Sequence, residues 1–273
     1  MEKLIITLAL TGNVPTKALN ESTPMTPEEI ADQIEEGMEQ GVSIAHLHAR
    51  DENGEPTHSR ACFEAILNEI QRRSLNVITQ CSTGARGGEN TPECRGQMLD
   101  LPFEMASLSA GSSNFPDSVN ANSPRLIAAL AEKMYANGIK PEIEAFDSAM
   151  ITNTSYLLKK GILKSPLHFN MVMNVPGSIA GSIKNLLFMS EIIPPGSTWT
   201  VCGIGSAQVP MLTAGILLGG HVRTGLEDTL SLRKGVPATN RTLVERVLRI
   251  AGELGREIAS PAEAREILGL KAK

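Results

Sequence analysis

The chain has 273 residues, 41% of them hydrophobic and 20% charged, a length that a closed α/β barrel fills as one domain. Its 25 Lys and Arg are outnumbered by 30 Asp and Glu, for a net charge of -5, and they are scattered instead of forming a stripe, which excludes a nucleic-acid partner. No run approaches the ~18 apolar residues of a bilayer span, the start Met-Glu-Lys lacks the organisation of a cleavable signal, and four cysteines occur without a CxxC pair, so a reduced, cytoplasmic protein without membrane association is expected.

Only 3% of residues are aromatic, so the core must be aliphatic. The first predicted strand covers 4–10 and runs into Thr11-Gly12-Asn13. Thr26-Pro27-Glu28-Glu29 offers a capping hydroxyl, a proline at the first helical position and acids against the dipole, which predicts a helix to about Gln40. Strand 42–49, helix 60–72 and strand 76–81 follow, the last entering Ser82-Thr83-Gly84. Strand 105–109 leads into a polar turn over 110–114 and a helix over 124–137. Strand 142–146 precedes a helix over 148–160, for which Asp147-Ser148 reads as the cap. Strand 167–173, helix 179–190, strand 198–203, helix 207–218, strand 220–225 and helix 241–254 complete the alternation. Ser260-Pro261-Ala262-Glu263 repeats the start signal and opens a last short helix.

About eight βα units predict a single-domain α/β fold, a (β/α)8 TIM barrel over 1–273 with a short C-terminal helical extension. An open, doubly wound sheet is the alternative, because periodicity does not show closure. In a closed barrel the polar turns after the strands meet on one rim, where active sites are built.

His46 and His48 stand two apart at the end of the second strand, so both imidazoles face one side and Ala45, Leu47 and Ala49 the other. Two neutral nitrogens side by side suit a borderline-soft cation such as Zn2+. A third ligand is needed, and the eighth strand offers Glu227 and Asp228, which closure brings to the same cavity across strand one; the plainer reading makes them the acidic first turn of the next helix. A His2Glu set with an open position polarises a carbonyl as a Lewis acid. Glu142 and Glu144 share one face of the fifth strand, with Glu144 nearer the rim and either functional or ion-paired with Arg223. His168 and His221 lie earlier in their strands and read equally as bonded core histidines, while His58 lies in a polar loop. Gly203-Ile204-Gly205-Ser206 has the composition of a phosphate cradle, although glycine-rich turns are common.

Leu-Thr-Gly at 10–12, Thr-Pro-Glu-Glu-Ile at 26–30, His-Leu-His-Ala-Arg-Asp at 46–51, Ser-Thr-Gly at 82–84, Glu-Met-Ala-Ser-Leu at 104–108 and the segment ending in Glu227-Asp228 together span nearly the whole chain. In this combination the sequence resembles the β-keto acid cleavage enzymes. The resemblance implies a zinc-dependent barrel, usually a homotetramer, that converts a β-keto acid and acetyl-CoA into acetoacetate and a new acyl-CoA. It implies His46, His48 and Glu227 as metal ligands, Asp228 as the base, Arg223 and Glu144 as groups that tune it, and Ser82, Gly84 and Ser107 as holders of the keto acid. Where family members acting on an amino-keto acid carry an acid, this chain has Val14, which predicts a substrate with a neutral or apolar tail. A metal-dependent barrel hydrolase, adding His168 or His221 to the pair, is the alternative function.

Overall fold

A computed structural model describes residues 2–270, so Met1 and 271–273 of the expected single unit lie outside the described residues. Eight parallel strands close into a ring: β1 (Ile6–Ala9), β2 (Ile44–Leu47), β3 (Ile78–Cys81), β4 (Met105–Ser109), β5 (Lys140–Ala145), β6 (His168–Met173), β7 (Thr198–Gly203) and β8 (His221–Thr224). Closure is made by β1, which pairs with β2 through Ala9 opposite His46 and with β8 through Thr7 opposite Arg223. The open-sheet alternative is thereby removed.

The strands are linked by α1 (Pro27–Glu39), α2 (Arg60–Arg72), α3 (Pro92–Arg95), α4 (Pro124–Ala136), α5 (Ser148–Lys159), α6 (Ile183–Glu191) and α7 (Gln208–Leu217). Beyond β8 come α8 (Asn240–Glu253) and α9 (Pro261–Leu268). Thr26 and Glu29 form the expected reciprocal capping box on α1, and Ile30, Ala31 and Ile34 bury its apolar face. Asp147 caps α5 by accepting from the Ala149 N–H.

Three features depart from the sequence reading. The link from β3 to β4 holds only the single turn α3 and a 3-10 turn over Gln97–Asp100. Helix α6 starts at Ile183, four residues later than expected, because Ile179 donates its N–H to Phe146 and accepts from Asn174 N–H, leaving Ser182 to cap. Short antiparallel ribbons follow β2 (Ala49–Arg50 with Pro56–Thr57), β4 (Ser113–Asn114 with Val119–Asn120) and β8 (Ser231–Arg233 with Val236–Pro237).

The barrel interior is layered. At its floor Ile5, Ile44, Ile78 and Met105 pack against Ala259, Ala264 and Leu268, so the C-terminal helix plugs the bottom of the ring. Arg265 of α9 clamps this plug through a bidentate pair with Glu104 at 2.6 and 3.1 Å. Above the floor, Thr7, His46, Gln80, Glu142, His168 and Asn170 are buried, so the barrel becomes polar toward the rim.

Candidate active site

The strand period of two points His46 and His48 inward from β2, and the turn after β8 brings a carboxylate to them. Glu227 Oε2 lies 3.7 Å from His46 Nε2 and 3.3 Å from His48 Nε2. Gly225 makes the turn possible: its φ is +151°, and a Cβ there would stand 2.0 Å from Ala9 O. The Glu227 N–H then bonds Ala9 O, fastening the carboxylate's backbone to β1. Glu227 and Asp228 therefore occupy a rim turn, and their reading as the first turn of a helix is corrected, since α8 begins only at Asn240.

Each imidazole is oriented from behind. Gln80 Oε1 lies 2.6 Å from His46 Nδ1, and Asn13 Oδ1 lies 2.9 Å from His48 Nδ1. Two acceptors at Nδ1 place the proton there and leave each Nε2 with its lone pair facing Glu227. His46 Nε2, His48 Nε2 and Glu227 Oε2 are buried and have no hydrogen-bond partner among the described residues. One ligand atom from each of the three residues falls within 4.8 Å of the others. Unpartnered buried polar atoms are costly, and a borderline cation satisfies this nitrogen and oxygen set, so the residues fit a divalent metal.

Arg223 organises the other side. Its Nη2 and Nε meet Asp228 Oδ1 and Oδ2 at 2.7 and 3.2 Å, Nη2 also meets Glu227 Oε1 at 2.7 Å, and Nη1 lies 3.5 Å from Glu144 Oε1. Ser109 donates to Glu144 Oε2 at 3.2 Å. Three carboxylates around one guanidinium leave two negative charges in excess when all are ionised, the complement of a divalent cation. Burial, opposed by Arg223, pushes the Asp228 carboxyl up to about 6 and that of Glu144 up to about 7. Glu227 is also buried, but Arg223 and the two imidazoles outweigh that cost and hold its carboxyl well below the usual range.

These groups line a cavity of about 320 Å³ together with Val14, Ser82, Gly84 and Ser109. Ser82 accepts the Gly84 N–H at 3.2 Å, which folds the turn after β3. Ser107 lies beneath this turn, outside the cavity wall, with its Oγ accepting the Thr83 N–H. Val14 is 56% exposed at the mouth. Phe115, Phe146, Val172 and Val175 give one wall an apolar surface, and Arg86 lies 4.2 Å over the Phe115 ring.

Several supporting residues escaped the sequence reading. Besides Gln80 and Asn13, the buried Arg95 bonds Thr83 O, Ala121 O and Asn122 Oδ1, while Arg50 bonds Gly12 O and Pro15 O, so two arginines fix the rim loops. The strand period could have flagged Gln80, two residues before Ser82 on the inward face. His58 lies in the loop before α2 as expected, but its side chain is buried, with Nε2 2.9 Å from Gly84 O. His168 pairs with Thr198 and Thr200, and His221 accepts the Ile5 N–H near the floor, so both are core histidines and neither joins the metal cluster. The hydrolase alternative loses its additional ligands.

A closed βα barrel whose strand ends converge on three residues able to hold a metal ion, beside a clamped carboxylate, has the site architecture of a TIM-barrel enzyme. Residues 3–270 match the family model described as beta-keto acid cleavage enzyme, and the chain belongs to that family. It is 45% identical over 273 residues, 99% of each chain, to a 3-keto-5-aminohexanoate cleavage enzyme of Fusobacterium nucleatum. It is 39% identical over 270 residues, 97% of this chain and 94% of the other, to a 3-oxoadipate:acetyl-CoA acetyltransferase of Cupriavidus necator. The apo structure of ObcA superposes with a TM-score of 0.82 at 21% identity, covering 92% of this chain and 66% of that longer one, a likeness of fold. Among the described residues no helix is long and apolar enough to cross a membrane.

Proposed function

We propose that the chain transfers the acyl group of a β-keto acid to coenzyme A, taking acetyl-CoA and releasing acetoacetate and a new acyl-CoA. The observation that carries this reading is the convergence of three unpartnered buried ligand atoms beside a clamped Asp228, in a member of this family. The relatives' names supply acetyl-CoA as co-substrate. His46, His48 and Glu227 would hold a divalent cation, Zn2+ by its donor set, whose Lewis-acid charge favours oxyanions on the reacting carbonyls.

Asp228 takes the proton from the carbon between the keto and carboxylate groups and returns it to acetoacetate. Its pKa of about 6 leaves it ionised yet still basic near neutrality. Arg223 holds both its oxygens, and Glu144 adjusts the charge on Arg223 from the far side. The substrate carbanion bonds to the acetyl carbon, the coenzyme A thiolate passes to the former keto carbon, and the original carbon–carbon bond breaks. No redox partner is needed. Ser82 and Gly84 hold the keto acid from the cavity wall, with Ser107 bracing their turn through Thr83.

Val14 in place of an acid, together with Arg86 on the cavity wall, makes a cationic tail costly, so the keto acid carries a neutral or apolar one. Residues 1–273 would act as one catalytic domain in the cytoplasm. Exposed Ile183 and Phe188 on α6 and Val209 and Leu217 on α7 favour a homotetramer that covers them.

An acetoacetate-release assay over a panel of β-keto acids, with metal analysis of the same samples, tests the reading. Asp228→Asn should keep its metal and lose ~100- to 10,000-fold in kcat. His46→Ala should lose the metal itself. Full turnover by Asp228→Asn removes the base, and an amino-keto acid that outpaces the panel overturns the tail assignment.

A further inference from the structure

A groove of about 620 Å³ leaves the mouth of the active cavity and runs outward between the turns after β7 and β8. Val14, Pro15, Ile204, Glu227 and Asp228 line both spaces, so the groove adjoins the active cavity at the clamped carboxylate. Its outer end is cationic: Arg233 and Lys234 occupy the tip of the ribbon after β8, and Arg246 of α8 lies behind them. Arg233 and Lys234 are exposed and form no ion pair among the described residues.

The ribbon that presents these cations is rigidly mounted. Arg246 donates to Leu232 O and, at 2.8 Å, to Gln208 Oε1. Asn20 donates to Leu230 O and Ala238 O, and Leu230 and Leu232 pack on Leu226, Ala238 and Leu243. The facing turn is tied to β8 by the Gly205 N–H bonding Asp228 O at 2.9 Å. At Gly205 a Cβ would meet nothing within 4 Å, so this turn opens onto free space where the sequence suggested a phosphate cradle.

A neighbouring rim groove of about 490 Å³, lined by Gly111, Asn114, Asp147 and Asn153, has no cation on its wall and shares no lining residue with the active cavity. Of these two grooves, only the one after β7 and β8 combines continuity with the chemistry and positive charge.

We propose that this groove is the coenzyme A site, with Arg233 and Lys234 taking the phosphates of the nucleotide end and the Val14–Pro15 and Ile204 walls guiding the uncharged pantetheine arm to Asp228. Turns after the seventh and eighth strands are a recurrent phosphate location in this fold, and paired cations match a multiply charged anion. The proposal rests on the acyl-transfer reading for its choice of ligand.

Calorimetric titration of the metal-loaded enzyme with coenzyme A and with adenosine 3′,5′-bisphosphate tests it directly. The Arg233→Ala/Lys234→Ala double variant should bind both at least ~10-fold more weakly, about 1.4 kcal/mol, and wild-type affinity should fall as salt rises. In turnover, KM for acetyl-CoA should rise by a similar factor while KM for the keto acid stays within ~2-fold. Arg125→Ala on α4, which removes a cation away from the groove, should bind coenzyme A like wild type. Unchanged coenzyme A affinity in the double variant overturns the site, and so does a wild-type protein that binds no coenzyme A. Binding that depends on Arg233 and Lys234 in a protein releasing no acetoacetate keeps the site and removes the acyl-transfer reading.

Discussion

Each imidazole of the proposed metal cluster offers one nitrogen because Gln80 and Asn13 occupy the other. Gln80→Leu keeps the side chain's bulk and removes the acceptor, so His46 is free to turn or to change tautomer. Zinc affinity, measured by competition with a chelator, should drop ~10- to 100-fold with the fold intact. An affinity equal to wild type would show that His46 is held in some other way. At this scale the charged residues were legible and their supporters were not. His46 and His48 stand out by the strand period, and Glu227, Asp228 and Arg223 by their place at a strand end. The strand period could give Gln80 an inward face but not its partner, and a loop amide such as Asn13 reads the same in sequence whether it faces an imidazole or water. The buried arginines Arg50 and Arg95 were missed for a related reason: Arg50 bonds backbone carbonyls and Arg95 bonds such carbonyls and neutral amides, partners that carry no charge to pair in the sequence.

Among the elements, the turn after β8 matters most to the proposed site, since it brings the Glu227 carboxylate beside the imidazoles of β2. Gly225 has a positive φ that residues with a side chain rarely adopt, and the backbone of Ala9 stands where a Cβ would go. Gly225→Ala should cost at least ~1–3 kcal/mol from backbone strain and displace Glu227. A lower melting temperature and weakened metal binding together are the expected result; a variant with full metal affinity would show that Glu227 is positioned independently of the turn. The helices were legible where capping chemistry and an apolar stripe coincide, as at Thr26 for α1 and Ser260 for α9. The start of α6 was not, because Ile179 is apolar yet spends its backbone bonds on a loop. The ribbon bearing Arg233 and Lys234 was invisible for want of length, since strands of two or three residues show no alternation.

The molecule as a whole keeps several histidines neutral in its interior, and this sets its response to acid. Burial lowers His221 to about 3 and His58 to about 4, both from 6.5. His221 uses Nδ1 to accept the Ile5 N–H, so protonation there also breaks a backbone bond. A group depressed in this way contributes stability fully present above about pH 6.5 and lost as pH falls toward its folded value, with a slope up to ~1.4 kcal/mol per pH unit. Glu144 and Asp228, raised by burial, act in the opposite sense, their contribution being lost as pH rises through about 7 and about 6. The informative measurement is therefore differential: between pH 6.5 and 4.5, urea midpoints of His221→Gln should fall less steeply than those of wild type. Parallel curves would show that His221 does not titrate on unfolding. Closure of the ring, the one global property that periodicity could not supply, depends on long-range pairing of β1 with β8. Finally, Ala264 and Leu268 seal the end of the ring opposite the chemistry. With that end plugged, entry and exit fall to the loops of the rim, so those loops can change what is admitted while the seal below stays as it is.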